Sequence, residues 1–159
     1  MVFNRQIRKE INHFNCKHYF VGRRYHSPMK SIRAFRGAVQ LSSDTSDEMQ
    51  SAVGELLGAI FKANSINNED LISMLFTATP DITSEFPAVG ARAFGITDVP
   101  LICASEIDVK GALPRTVRVL IHAESVLSRP EITHIYLGGA QVLRPDLNHG
   151  SNGNGKGSK

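Results

Sequence analysis

Arg118 is a charged residue set in the apolar run Thr116 to Ile121. A guanidinium inside a buried strand is costly unless an anion pairs with it. Glu106 follows the preceding apolar run, Val99 to Ala104, and is one candidate partner. In the other reading Arg118 waits for an anionic ligand, with Glu106 across the same cavity. Spacing leaves the two readings open. Arg36 repeats the theme, because strand parity places it with Ile32, Ala34 and Ala38 on a largely apolar face. Its plain reading is an edge arginine reaching solvent. His134 and Tyr136 are two apart in another apolar run, where one can face a site, although a lone histidine there is more often structural or solvated. No phosphate-cradling glycine loop, nucleophile elbow, CxxC or Cys/His cluster of metal-ligand spacing occurs.

Several elements must hold these residues. Residues 31 to 41 predict a strand in which Gly37 marks a bulge or a close backbone approach. Residues 45 to 64 predict a helix, with Thr45 and Glu48 as a capping box and Met49, Val53, Leu56, Leu57 and Ile60 at helical spacing. Residues 70 to 79 predict a second strand. Pro87 opens a short helix that carries Arg92 and stops at Gly95; an exposed helical arginine alone is usually just solvated. The runs 99–104 and 116–121 read as two buried strands joined at Lys110-Gly111 and Pro114 into a central hairpin. Residues 132 to 137 predict the last strand, broken by Gly138-Gly139.

The chain has 159 residues, enough for one domain with a real core. Its formal charge of +3 is uneven. Residues 1 to 30 hold seven Lys/Arg and one acid, while the rest holds 11 Lys/Arg and 14 acids, so the body is mildly acidic. That weakens an argument from basic pI to nucleic acid, and no apolar run reaches membrane-spanning length. Two cysteines, Cys16 and Cys103, make no disulfide framework and fit a reducing compartment. The basic arm 1–30 is expected to be disordered or dispensable. It lacks the apolar core of a secretory signal; a transit peptide, or a true start at Met29, are the other readings. The Gly/Ser/Asn-rich tail 148–159 is expected to be disordered.

Between residues 31 and 147 a set of short motifs stands in order: Ile32-Arg33-Ala34-Phe35-Arg36-Gly37-Ala38, Thr77-Ala78-Thr79-Pro80-Asp81, Phe86-Pro87-Ala88 with Arg92, Val99-Pro100-Leu101, Cys103 with Glu106, Leu113-Pro114-Arg115 with Arg118-Val119, His134-Ile135-Tyr136-Leu137, and Leu143-Arg144-Pro145-Asp146-Leu147. In these the chain resembles the monofunctional chorismate mutases of the Bacillus type, the AroH class. The resemblance implies an α+β fold: a mixed sheet with helices on one face, three chains forming a pseudo-α/β-barrel. It also implies a cytoplasmic homotrimer with sites between neighbouring subunits. The reaction implied is the rearrangement of chorismate to prephenate, toward phenylalanine and tyrosine, with no cofactor, no metal, no nucleic acid and no membrane.

By position, the resemblance gives Arg118 to the ether oxygen of the breaking bond and Glu106 to the ring hydroxyl. Arg36 and Tyr136 would bind a carboxylate. Cys103, with Ile102, Ala104 and Ser105 on the same strand, would line the pocket beside Glu106. Phe86 would pack on the ring from the neighbouring subunit, Leu143 would form a wall, and Arg92 and Arg144 would attract the dianion at the mouth. Val89 departs from the pattern, where the family carries a lysine. Two competing readings are a trimeric enamine/imine deaminase-like enzyme, which also holds a carboxylate with an interface arginine, and a non-catalytic binder: a ligand-sensing trimer or a nucleic-acid protein using the arm.

Overall fold

The computed structural model describes residues 29–146; the expectations for the basic arm and the tail fall on residues outside these, apart from Met29 and Lys30. Five strands and two helices follow in the order β1 (Ser31–Gln40), α1 (Ser46–Asn64), β2 (Leu71–Ala78), α2 (Pro87–Ala93), β3 (Leu101–Ser105), β4 (Thr116–Ser125) and β5 (Ile135–Leu137). They make one mixed sheet of order β3-β2-β4-β1-β5. β4 runs antiparallel to both β1 and β2, and the outer strands β3 and β5 pair parallel with β2 and β1.

The two helices cover one sheet face. α1 buries Met49, Val53, Leu56, Leu57 and Ile60 against Phe35 of β1, Phe76 of β2 and Val117 and Ile121 of β4. All nine are fully buried, and truncating Phe35 or Phe76 to alanine would cost about 3–5 kcal/mol. Gly37 is the close approach rather than a bulge: a Cβ there would meet the Ile60 Cδ1 at 2.6 Å and the Leu56 Cδ1 at 3.0 Å, while the β1–β4 register runs unbroken. At the start of α1 the capping box is half formed. Thr45 Oγ1 accepts the Glu48 N–H at 3.3 Å, but the Glu48 carboxylate turns out to Ser42, accepting from its N–H at 2.9 Å and its hydroxyl at 2.7 Å.

The central hairpin does not form. β3 and β4 are separated by β2, because α2 returns the chain as a parallel crossover onto the outer edge of β2 while β4 occupies its inner edge. The segment 106–115 therefore passes over the end of β2 instead of making a turn. Glu106 N–H donates to Ala78 O at 2.9 Å, and Thr79 exchanges bonds with Thr116 at 3.0 and 2.9 Å. β3 is likewise no buried strand but an edge, with Ile102 63% exposed. β4 runs on to Ser125, with alternate residues 117, 119, 121 and 123 buried. The last strand is shorter than predicted, since buried Asn64 takes both the N–H and the C=O of Thr133 at 2.8 Å and removes that residue from the ladder.

Among the described residues no helix covers the other sheet face. Ile32, Ala34 and Arg36 of β1 are exposed on it, in alternation with buried Phe35, Gly37 and Val39. This face carries the residues singled out for chemistry.

Candidate active site

Strand register sets one row of residues across the open face: Ala104 of β3, Thr77 of β2, Arg118 of β4, Ala38 of β1 and Tyr136 of β5. Ala38 is fully buried between its larger neighbours, so a small residue forms the floor between Arg118 and Tyr136. One step along, a second row holds Arg36, Leu120, Leu75 and Ile102. Arg36, Arg118, Tyr136, Thr77, Leu75 and Leu120 line a cleft of about 140 Å³.

From its wall Arg118 forms an ion pair with Glu106, NH1 to Oε2, with side-chain exposures of 31% and 16%. The second carboxylate oxygen of Glu106 accepts from Thr77 Oγ1 at 2.5 Å. Burial first, and the like charge of Arg36 second, push the Arg118 guanidinium below its ordinary pKa. The Tyr136 phenol acts the other way, and arginine stays charged at any working pH. Arg118 alone pairs with the carboxylate, and the second guanidinium, Arg36, lines the same cleft, an excess of positive charge suited to a small anion.

His134 is structural here. Its Nδ1 accepts the backbone N–H of Arg36 at 3.1 Å, extending the β1–β5 edge by one residue. That bond requires an unprotonated Nδ1, and burial, then Arg36 and Arg144, push the imidazole below its ordinary pKa. The Tyr136 hydroxyl is buried and has no hydrogen bond among the described residues, a costly state for a polar group. Arg144 lies near enough to interact with the phenol oxygen, without a hydrogen bond of good geometry between them. Arg144 itself is held by Asp146 through bonds of 2.9 and 2.8 Å. Leu143 ends the 3₁₀ turn Gly138–Leu143 just before it, half-buried.

A second cleft, of about 330 Å³, lies at the β3 edge. Phe86, Pro87, Cys103, Ala104 and Ser105 line it together with residues 78–80 and 82–85. Phe86 stands 69% exposed at the start of α2. The loop before it is braced by Asp44, whose carboxylate accepts four bonds from Thr83 and Ser84, led by the Ser84 hydroxyl, which hold it down to about 2. The two clefts share no lining residue.

Not every residue named from the sequence converges. Cys103 is in register with Phe76, itself opposite Val119, so its side chain lies on the helix-covered face, opposite Arg118. It packs against the core, and burial pushes its thiol pKa up. Arg92 lines neither cleft; its NH1 donates to Ile96 O at 3.3 Å and Thr97 O at 3.1 Å, closing the end of α2. Thr77 was not singled out from the sequence, although its side chain binds Glu106. A hydroxyl at a strand end has no pattern of its own, and only register reveals it. Among the described residues no group of three His, Cys, Asp or Glu is placed to hold a metal ion.

An α+β chain with a dicationic cleft braced by one carboxylate defines a protein built to receive a small anion. The family described as chorismate mutase type I matches residues 32–147. Chorismate mutase AroH of Thermus thermophilus is 42% identical over 117 residues, covering 73% of this chain and 96% of that protein. Chorismate mutase AroH of Bacillus subtilis (strain 168) is 38% identical over 117 residues, covering 73% and 92%. The solved structure of a chorismate mutase from Clostridium thermocellum is 39% identical with a TM-score of 0.68, covering 69% of this chain and 98% of that one. The chain belongs to the type I chorismate mutase family.

Proposed function

We propose that this chain is a chorismate mutase, converting chorismate to prephenate by intramolecular rearrangement on the route to phenylalanine and tyrosine. The observation that carries this reading is the Arg36–Arg118–Glu106 constellation in a member of this family. The substrate carries two carboxylates and an ether bond that stretches as it breaks. The reaction transfers no proton to or from the enzyme, so no general base is needed. Its rate comes from two sources. One is holding the flexible side chain over the ring in the compact reactive conformer. The other is a fixed donor where negative charge grows on the ether oxygen.

Arg118 is that donor. Its anchor on Glu106 fixes the guanidinium before substrate arrives. Arg36 and Tyr136 hold a carboxylate, and the Tyr136 hydroxyl gains the partner it lacks in the free chain. Glu106 accepts the ring hydroxyl. Arg144, beside Tyr136, guards the mouth with Leu143 as a wall. Arg92 acts only as distant charge, since its guanidinium is bound to backbone carbonyls.

The working form is a homotrimer with sites between subunits. Ile32, Leu75 and Ile102 leave an apolar open sheet face on the single chain. Phe86 and the strand from Ile102 to Ser105 would then complete the arginine cleft of a neighbour, with Cys103 contributing backbone rather than thiol. The free thiol of Cys103 fits a reducing cytoplasm.

The test is to mix the purified protein with chorismate, adding no metal or cofactor, and follow prephenate formation. Saturable turnover is expected, and its absence from a folded protein rejects the assignment.

A further inference from the structure

Glu106 has a weak seat of its own. It lies one residue beyond β3, at the head of the segment 106–115, where Ile107 is 86% exposed and Val109 58%. Its backbone is tied back by its N–H to Ala78 O at 2.9 Å and, more loosely, by its carbonyl accepting the neighbouring Ser105 hydroxyl at 3.5 Å. A carboxylate hinged there keeps its own side-chain torsions free, so something must fix the plane in which its two oxygens lie. Arg118 binds only one oxygen through one nitrogen, which leaves rotation about that contact. Thr77 binds the other oxygen.

Thr77 sits on the strand best placed to do this. β2 is an inner strand, paired to β3 on one side and to β4 on the other. Thr77 is the register partner of both Ala104 and Arg118, so its Cβ is held by two ladders. β-Branching further restricts its χ1, which aims the hydroxyl. The hydroxyl's single proton goes to Glu106, and no other hydrogen bond is made by that oxygen among the described residues.

We infer that Thr77 is a positioning residue of the mutase site, clamping the Glu106 carboxylate so that it presents both Arg118 and the substrate hydroxyl in one fixed geometry. The inference rests on the proposed mutase activity and deepens it. It assigns the constellation a fourth member that contacts no reacting atom. Its hydroxyl, rather than its bulk, is the working part. Serine can fill the position with some loss of aim, and valine, with the same shape and no donor, cannot.

The experiment compares Thr77→Val and Thr77→Ser with wild type on chorismate, each alone and in a Glu106→Ala background, with thermal melting to verify folding. Thr77→Val should melt near wild type and lose about tenfold or more in kcat/KM, the size expected for a hydrogen bond to a charged group. Most of that loss should fall on kcat, because a misaimed Arg118 fails chiefly in the transition state. Thr77→Ser should recover most of it. With Glu106 already alanine, adding Thr77→Val should change activity by less than about twofold, since the two act as one unit. A Thr77→Val enzyme within about twofold of wild type, or a loss that persists undiminished without Glu106, overturns the inference while leaving the mutase reading intact. Wild-type protein that makes no prephenate overturns both.

Discussion

The arginine cleft and the Phe86 cleft are built in opposite ways. The first lies on the inner strands β4 and β1; two of its charged groups are locked, Arg118 to Glu106 and Glu106 to Thr77, and the backbone of Arg36 is held by His134. The second lies at the sheet edge, where Phe86 and Ile102 stand in the open and the bracing comes from Asp44 behind the loop. Preorganised charge needs rigid support, because a donor that must move first gives back what it would contribute in the transition state. Shape needs less. An apolar edge supplies a wall and excludes water, and it can come from a different copy of the chain.

Breaking the first cleft should have the largest effect. Arg118→Ala should fold and lose a factor of about 10² to 10³ in kcat, the usual consequence of deleting one preorganised donor. Near-full turnover by that variant would move the chemistry elsewhere. Next comes the second cleft. On the proposed reading Phe86→Glu sets a negative charge beside the bound dianion, and should lower kcat/KM by about tenfold or more. If the clefts meet across subunits, unfolding and refolding Phe86→Glu together with Arg118→Ala should return activity above that of either parent. Separately refolded parents, mixed afterwards, are the control, and a mixture no better than its parents would place both clefts in separate roles.

Cys103→Ala separates backbone from thiol at the β3 edge. Because the side chain faces the helices, kcat/KM should change by less than about threefold while stability falls by about 1 kcal/mol. A large catalytic loss with unchanged stability would mean the thiol reaches substrate.

The smallest effect concerns the brace under Arg36. His134 has a folded-state pKa below its ordinary 6.5, so between those two values the unfolded chain binds more protons than the folded one. Its contribution is complete above pH 6.5 and is lost as pH falls from there through the lowered value. Urea midpoints measured from about pH 7.5 to 5 should therefore drop more steeply for wild type than for His134→Gln, which keeps an acceptor without titrating. Parallel slopes would show that the imidazole carries no such linkage.

Much of this was legible in residue order alone. The amphipathic period of α1, the glycine at position 37, the need of an arginine in an apolar strand for some anionic partner, and the family motifs from residue 32 onward are all local patterns. Each records a requirement that one segment must satisfy wherever it ends up. Strand pairing is of another kind. Segments 99–104 and 116–121 looked like hairpin partners because they are neighbours in the chain, yet β2 stands between them, and the edge each strand takes depends on which edges the others leave free. That choice sends residues 106–115 over the end of β2 and so brings Glu106 to Thr77 and Arg118. It also turns Cys103 away from Arg118 and ties Arg92 to carbonyls. The chain's own residues determined that a charge would have to be met inside the sheet; the order and register of the strands decided which groups meet it, because hydrogen-bonded ladders, not distance along the chain, set what lies beside what.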